Sequence, residues 1–301
     1  MSVKSLNVTS KVKAAQNNVN PIMCISFQRI IYDYPITVYT STVHDDAAKS
    51  RQRVADLGYK YQWKKLVKEL KKNEHLINSC LLPVDESTSP QMYTPLHHAA
   101  FGKAPQNVFE VLINFGASKS LKTADGQTAY DIANRKGLDE KVLKMIEVPH
   151  EILENETVIK KMEVGLHKVI LERVEKLVKE NGQQLPQLSF LYEFGSFFYP
   201  VPGMYGGFSV SRQSDDGVEN SDDGSKENNH RSKKDDKTSE CAGEQVKSYE
   251  QTNESFNRSG MEGNMKKGIV VESWCRIAGG SGQRHEIDKE GIATLVDKGF
   301  L

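Results

Sequence analysis

Apolar residues recur at helical spacing in two stretches of the chain. Trp63, Leu66, Val67 and Leu70 stand at i, i+3, i+4 and i+7, one stripe of an amphipathic helix over 60–72. Ile159, Met162, Leu166, Val169, Ile170, Val174, Leu177 and Val178 hold the same period over 155–180, and Asn181-Gly182 supplies the stop. That helix would be about 39 Å long at 1.5 Å per residue. Its single stripe, without sustained heptads, predicts packing against its own chain. Asp45-Asp46 before Ala47-Ala48-Lys49 reads as an N-cap and good helix formers, giving a short helix over 46–56.

Past residue 180 the period changes. Phe197 to Phe208 is aromatic and turn-rich, and Phe208 to Val210, Gly268 to Ile277 and Gln283 to Ile287 read as strands. Gly279-Gly280-Ser281-Gly282 is the turn between the last two. Asp288 then caps a final helix through Leu295 and Val296 to Gly299. The expected fold is mainly α, with a small α+β C-terminal part built on an antiparallel sheet.

Polar stretches divide the chain further. Residues 211–267 hold 10 basic and 13 acidic residues and eight apolar ones, too little apolar surface to offset the ~1–2 kcal/mol per residue of backbone ordering, so disorder is expected there. Residues 1–20 read as a mobile tail. Over the full 301 residues, 40 Lys+Arg balance 40 Asp+Glu, so no global field steers the chain to nucleic acid or an anionic membrane. The longest apolar stretch, Ile22 to Ile31, is broken by Ser26, Gln28 and Arg29, too short to span a bilayer. No secretory signal is read at the N-terminus. Cys24, Cys80, Cys241 and Cys275 are scattered without a CxxC pair, which fits free thiols in a reducing compartment. The expected location is intracellular and cytoplasmic.

Between the two helices the sequence repeats. Thr94-Pro95-Leu96-His97 leads through Ala99-Ala100 and Val108, Val111 and Leu112 to Gly116-Ala117 and Asp125-Gly126; Thr128-Ala129-Tyr130-Asp131 restarts the pattern at an offset of 34. Thr94 can cap a helix with Pro95 at its first position, small alanines allow close stacking, and Gly116 suits a left-handed helix end. This tetrapeptide, alanine pair and period resemble the ankyrin repeat. The resemblance covers 59–149 in two to three units, with Trp63 to Cys80 a degenerate first unit. The domain plan is then a tail at 1–20, a flank at 21–58, the repeats, a long helix at 150–182 and an α+β piece at 183–301. The helices at 46–56 and 155–180 are expected to cap the stack.

The resemblance implies a non-enzymatic protein-interaction module that binds through hairpin tips and concave helices. Those positions are Phe101, Lys103, Lys119, Lys122, Thr123 and Ala124, with Tyr130 and Asn134 on the next helix. Their lysines predict an acidic protein partner. The second reading is an enzyme or ligand binder, in which Glu272, Arg276, Arg284 and His285 gather by the Gly-rich turn beside Cys275. A cross-strand Glu272–Arg284 ion pair is the simpler account of those residues. The third reading, nucleic-acid binding by Lys60, Lys64, Lys65, Lys68, Lys71 and Lys72 against one Glu69, ranks below a solvated helix face. His97 and His98 point to different helix faces, so no metal site is expected, and no cofactor is implied.

Overall fold

Short apolar stripes separated by tight turns build the first half of the chain into paired helices. The computed structural model describes residues 32–213, 268–275 and 281–299. The tail expected at 1–20, residues 214–267 of the segment expected to be disordered, Arg276 and Gly279-Gly280 lie outside them. After β1 (Tyr32–Asp33) come α1 (Asp45–Tyr59) and α2 (Trp63–Leu70), α3 (Pro95–Phe101) and α4 (Gln106–Asn114), then α5 (Ala129–Lys136) and α6 (Glu140–Ile146). α1, α3 and α5 pack on one another in series, and so do α2, α4 and α6. The result is a stack of three helix pairs with inner and outer rows. Helix pairing therefore begins at Asp45, inside the segment that the sequence places as a flank and end cap.

The core of the stack is made by Leu66, Leu70, Leu96, Phe109, Leu112, Ile132 and Ile146 around Ala99, Ala100 and Ala133, all fully buried. Bulkier residues at the alanine positions would hold the inner helices apart. Thr94 and His97 close the first turn of α3. The Thr94 N–H donates to His97 Nδ1 at 3.2 Å, and His97 Nε2 meets the Leu121 carbonyl at 3.1 Å. This fixes the neutral tautomer with its proton on Nε2 and ties α3 to the next hairpin. Gly116 follows α4 at φ +86°, where a side chain would be strained.

The second half is α7 (His150–Glu154), α8 (Glu156–Glu180), α9 (Ser189–Phe194), β2 (Ser196–Val201), β3 (Gly206–Arg212), β4 (Ile269–Cys275), β5 (Ser281–Ile287) and β6 (Ala293–Lys298). One sheet runs β1-β2-β3-β4-β5-β6, with β1 parallel to β2 and every other pair antiparallel. Strand alternation sends Phe197, Tyr199, Phe208, Val210, Ile269 and Val271 to one face. There they are buried in one cluster with Ile159, Met162, Leu166 and Ile170 of α8 and with Phe190 and Leu191 of α9.

The structure departs from the sequence expectation in four places. The architecture is mixed α+β, with a six-stranded mixed sheet where the sequence predicts a small antiparallel one. The long helix, with non-helical geometry at Val174, lies on the sheet rather than over the end of the stack, because the sheet offers its apolar stripe a continuous apolar face. The last segment is strand β6, not a helix. Asp288 Oδ1 accepts from the N–H groups of Glu290 and Ile292, both at 2.9 Å, and Gly291 takes φ +80°. That turn reverses the chain where a helix would have had to start, and lays Ala293–Lys298 along β5. Likewise Ser211 and Arg212 belong to β3, so order continues past the composition change. Among the described residues no helix is long and apolar enough to cross a membrane.

Candidate functional site

The hairpin residues expected to meet an acidic partner are already in contact with acidic and polar groups of the same chain. Glu193, on α9, takes the N–H groups of Lys119 and Ser120 at 2.8 Å each, the Ser118 hydroxyl at 2.5 Å, and the Ser120 hydroxyl. Lys122 Nζ sits 3.0 Å from Glu156 of α8, and its backbone N–H and carbonyl are both bonded by the Gln187 amide, at 2.8 and 2.9 Å. Thr123 is buried in the hairpin stem, while Ala124 at the tip is exposed. Residues 118–122, leading into the hairpin, thus dock the second half of the protein onto the stack. Sequence spacing assigns Lys119, Lys122 and Thr123 to a partner-facing tip; the structure sets Lys119 and Lys122 against this intramolecular surface and buries Thr123.

Phe101, Lys103 and Asn134 are exposed and Tyr130 is half-buried. Phe101 lies at the mouth of a cleft of about 480 Å³ between α1 and α3, closed on its third side by the loop before α3. Ala55, Asp56 and Tyr59 come from α1, Leu81, Met92 and Tyr93 from the loop, and His98 from α3. Tyr59 is 73% exposed, Leu81 43% and Phe101 40%, a concentration of apolar surface at one opening. The Tyr93 ring lies 5.5 Å from His98 and 6.4 Å from Phe101, centroid to centroid, and Lys136 Nζ stands 3.9 Å over the Phe101 ring.

Local backbone features shape this cleft. Gly58 lets α1 approach α3: a Cβ there would lie 2.9 Å from the His98 ring. Met92 adopts φ +58°, a conformation costly for an unbranched side chain, and it turns the chain so that Tyr93 can pack on both histidines. Burial pushes His98 down to about 4, so at neutral pH its imidazole is uncharged. Asp56 is engaged by Lys60 at 3.6 Å and by the Gln52 amide at 2.7 Å. What remains is an apolar, aromatic-walled slot with a neutral imidazole. Its chemistry suits an apolar or aromatic side chain better than a charged one. Tyr59, Leu81 and Tyr93 were not singled out by sequence; Tyr59 at the end of its helix and Leu81 in a loop carried only the weak signal of apolar residues outside a stripe.

The polar cluster of the second reading separates. Glu272 and Arg284 are register partners on β4 and β5, 3.6 Å apart and about 40% exposed. His285 pairs with the fully buried Val271, one step along the strand and on the opposite face. It lies within the field of Glu172 and Arg173 on α8, and burial lowers its proton affinity. The sheet stands between the imidazole and the ion pair, and Cys275 is bonded to the Met204 carbonyl at 2.8 Å. No group of three or more metal-ligating side chains forms among the described residues, and both ring nitrogens of His97 are engaged.

No protein-family model, curated protein or solved structure matches the chain.

Proposed function

We propose that the chain is a non-enzymatic protein-interaction module built on an ankyrin-type stack, and that its partner inserts an apolar or aromatic side chain into the cleft between α1 and α3. One observation carries this reading: Tyr59, Leu81 and Phe101 expose apolar surface around a single 480 Å³ opening on the inner helices. The resemblance of Thr94–His97, Ala99–Ala100 and the 34-residue offset to ankyrin repeats supports it, as do the three stacked helix pairs. The hairpin lysines contribute to the fold through Glu193 and Glu156, so the partner need not be acidic at this surface. A reducing, cytoplasmic setting agrees with the buried free thiol of Cys80.

Affinity capture from the native source, with the intact chain beside Phe101→Glu and Leu81→Glu, tests the proposal. Both changes add a carboxylate to an exposed position and leave the core intact. The expected result is loss of the partners held by the wild-type chain; recovery of the same partners at the same yield would exclude the cleft.

A further inference from the structure

Every lysine of α8 faces a carboxylate: Lys160, Lys161, Lys168, Lys176 and Lys179 pair with Glu156, Glu290, Glu172, Glu180 and Glu175. Those of α2 and the turn after it do not. Lys64, Lys65, Lys68, Lys71 and Lys72 are exposed, and none has an ion-pair partner among the described residues. Glu69, the one acid of α2, is held by Arg53 at 3.8 Å and by the Asn73 amide at 3.3 Å. Lys64, Lys65 and Lys68 lie along one stripe of α2, and Lys71 and Lys72 continue it in sequence through the turn after the helix.

The stripe begins at an aromatic cleft. About 640 Å³ of space lies between α2 and the start of α4, lined by Tyr61, Trp63, Lys64, Lys65, Pro105 and Asn107. The two rings are 5.7 Å apart and inclined by 35°, and they rest on Gly102, where a Cβ would come within 2.4 Å of Tyr61. Tyr61 is held at φ +54° with its side chain 49% exposed at the residue level. A large ring kept in a costly backbone conformation and left open to solvent presents a face on which a flat group can stack.

We propose that this surface binds single-stranded nucleic acid. Unpaired lysines neutralise successive phosphates while a base stacks on Tyr61 beside Trp63. An acidic polypeptide would use the lysines and leave the rings unused, and a duplex keeps its bases stacked away from them. The patch contains no arginine positioned for two-pronged contacts to base edges, so binding is indifferent to sequence.

Fluorescence anisotropy of a labelled oligothymidylate of about ten nucleotides, titrated with the full chain over a range of salt, reads the proposal directly. Binding is expected at low salt, weakening as salt rises. Lys64→Ala/Lys65→Ala/Lys68→Ala should cut affinity at least about tenfold and flatten the salt dependence. Tyr61→Gly, which suits the positive φ, should lose about tenfold with the salt dependence kept, as stacking alone is removed. Lys168→Ala/Lys176→Ala on α8 should change nothing. The proposal is overturned if the oligonucleotide does not bind, if Tyr61→Gly binds as the wild type does, or if a polyglutamate peptide of equal length competes as well as unlabelled oligothymidylate.

Discussion

Ser118 donates its hydroxyl to the Glu193 carboxylate at 2.5 Å across 75 positions of sequence, joining the segment after α4 of the helical stack to the helix that leads into the sheet. Around this bond the backbone of Lys119 and Ser120 and the Ser120 hydroxyl converge on the same carboxylate. A half-buried acid with four donors is a joint between the two halves, because hydrogen bonds to a charged acceptor are stronger than neutral ones.

Glu193→Ala should therefore destabilise the protein by about 3 kcal/mol, since the donors at 118–120 lose an ionised acceptor in a partly buried place. Urea unfolding measures the loss, and hydrogen exchange should rise at Lys119 and Ser120. A change below about 0.5 kcal/mol would mean that the joint is replaced by water at little cost.

The stack should weaken in acid. Burial pushes His97 down to about 4 from its ordinary 6.5, and His98 likewise. As pH falls below 6.5 the unfolded chain takes up these protons before the folded one, so stability is full above that value and declines toward pH 4. For His97 alone the loss is on the order of 3 kcal/mol. An NMR titration should keep both imidazoles neutral until below pH 5; midpoints near 6.5 would contradict the burial argument.

Gly165→Ala should reverse the usual sign of a helix substitution. Alanine normally favours a helix interior by about 1 kcal/mol over glycine. Here its Cβ would lie 2.4 Å from the Gly291 carbonyl oxygen and 2.8 Å from Ile287 Cγ2, where α8 meets the turn before β6. The expected net loss is about 2 kcal/mol, seen as a lower unfolding midpoint. A stabilised variant would show that α8 and this turn are not packed backbone to backbone.

Glu272→Ala and Arg284→Ala should each shift stability by less than about 1 kcal/mol, because the pair is 40% exposed and screened. Thermal unfolding checks this. A larger loss would return a structural or binding role to the pair.

These outcomes trace what was legible in the chain. Thr94, Pro95 and Gly116 act through neighbours a few residues away, so their spacing reports their structure, whereas His97 and the alanine pair also reach to Leu121 and to the adjoining helices. The stripe of α8 showed an apolar face but not which surface covers it, and the sheet that does so is assembled from strands on both sides of residues 214–267. Asp288 looks like a helix cap because its first bonds are those of a cap; Gly291, three residues on and in the left-handed region, diverts the chain where a helix would have continued. Lys122 reads the same whether it faces solvent or Glu156, since the partner lies 34 residues away. The cleft was missed for the converse reason: Tyr59, Leu81 and Phe101 meet only after three separate elements have packed.

A partner that enters the cleft between α1 and α3 will lie against Phe101. A photo-crosslinking residue placed at Phe101 tests it most directly, with Val164 as the control, because Val164 is exposed on α8 away from the cleft lining. One protein adduct is expected from position 101, abolished by Leu81→Glu, and no such adduct from position 164. Equal adducts from both positions, or an adduct at 101 unaffected by Leu81→Glu, would contradict it.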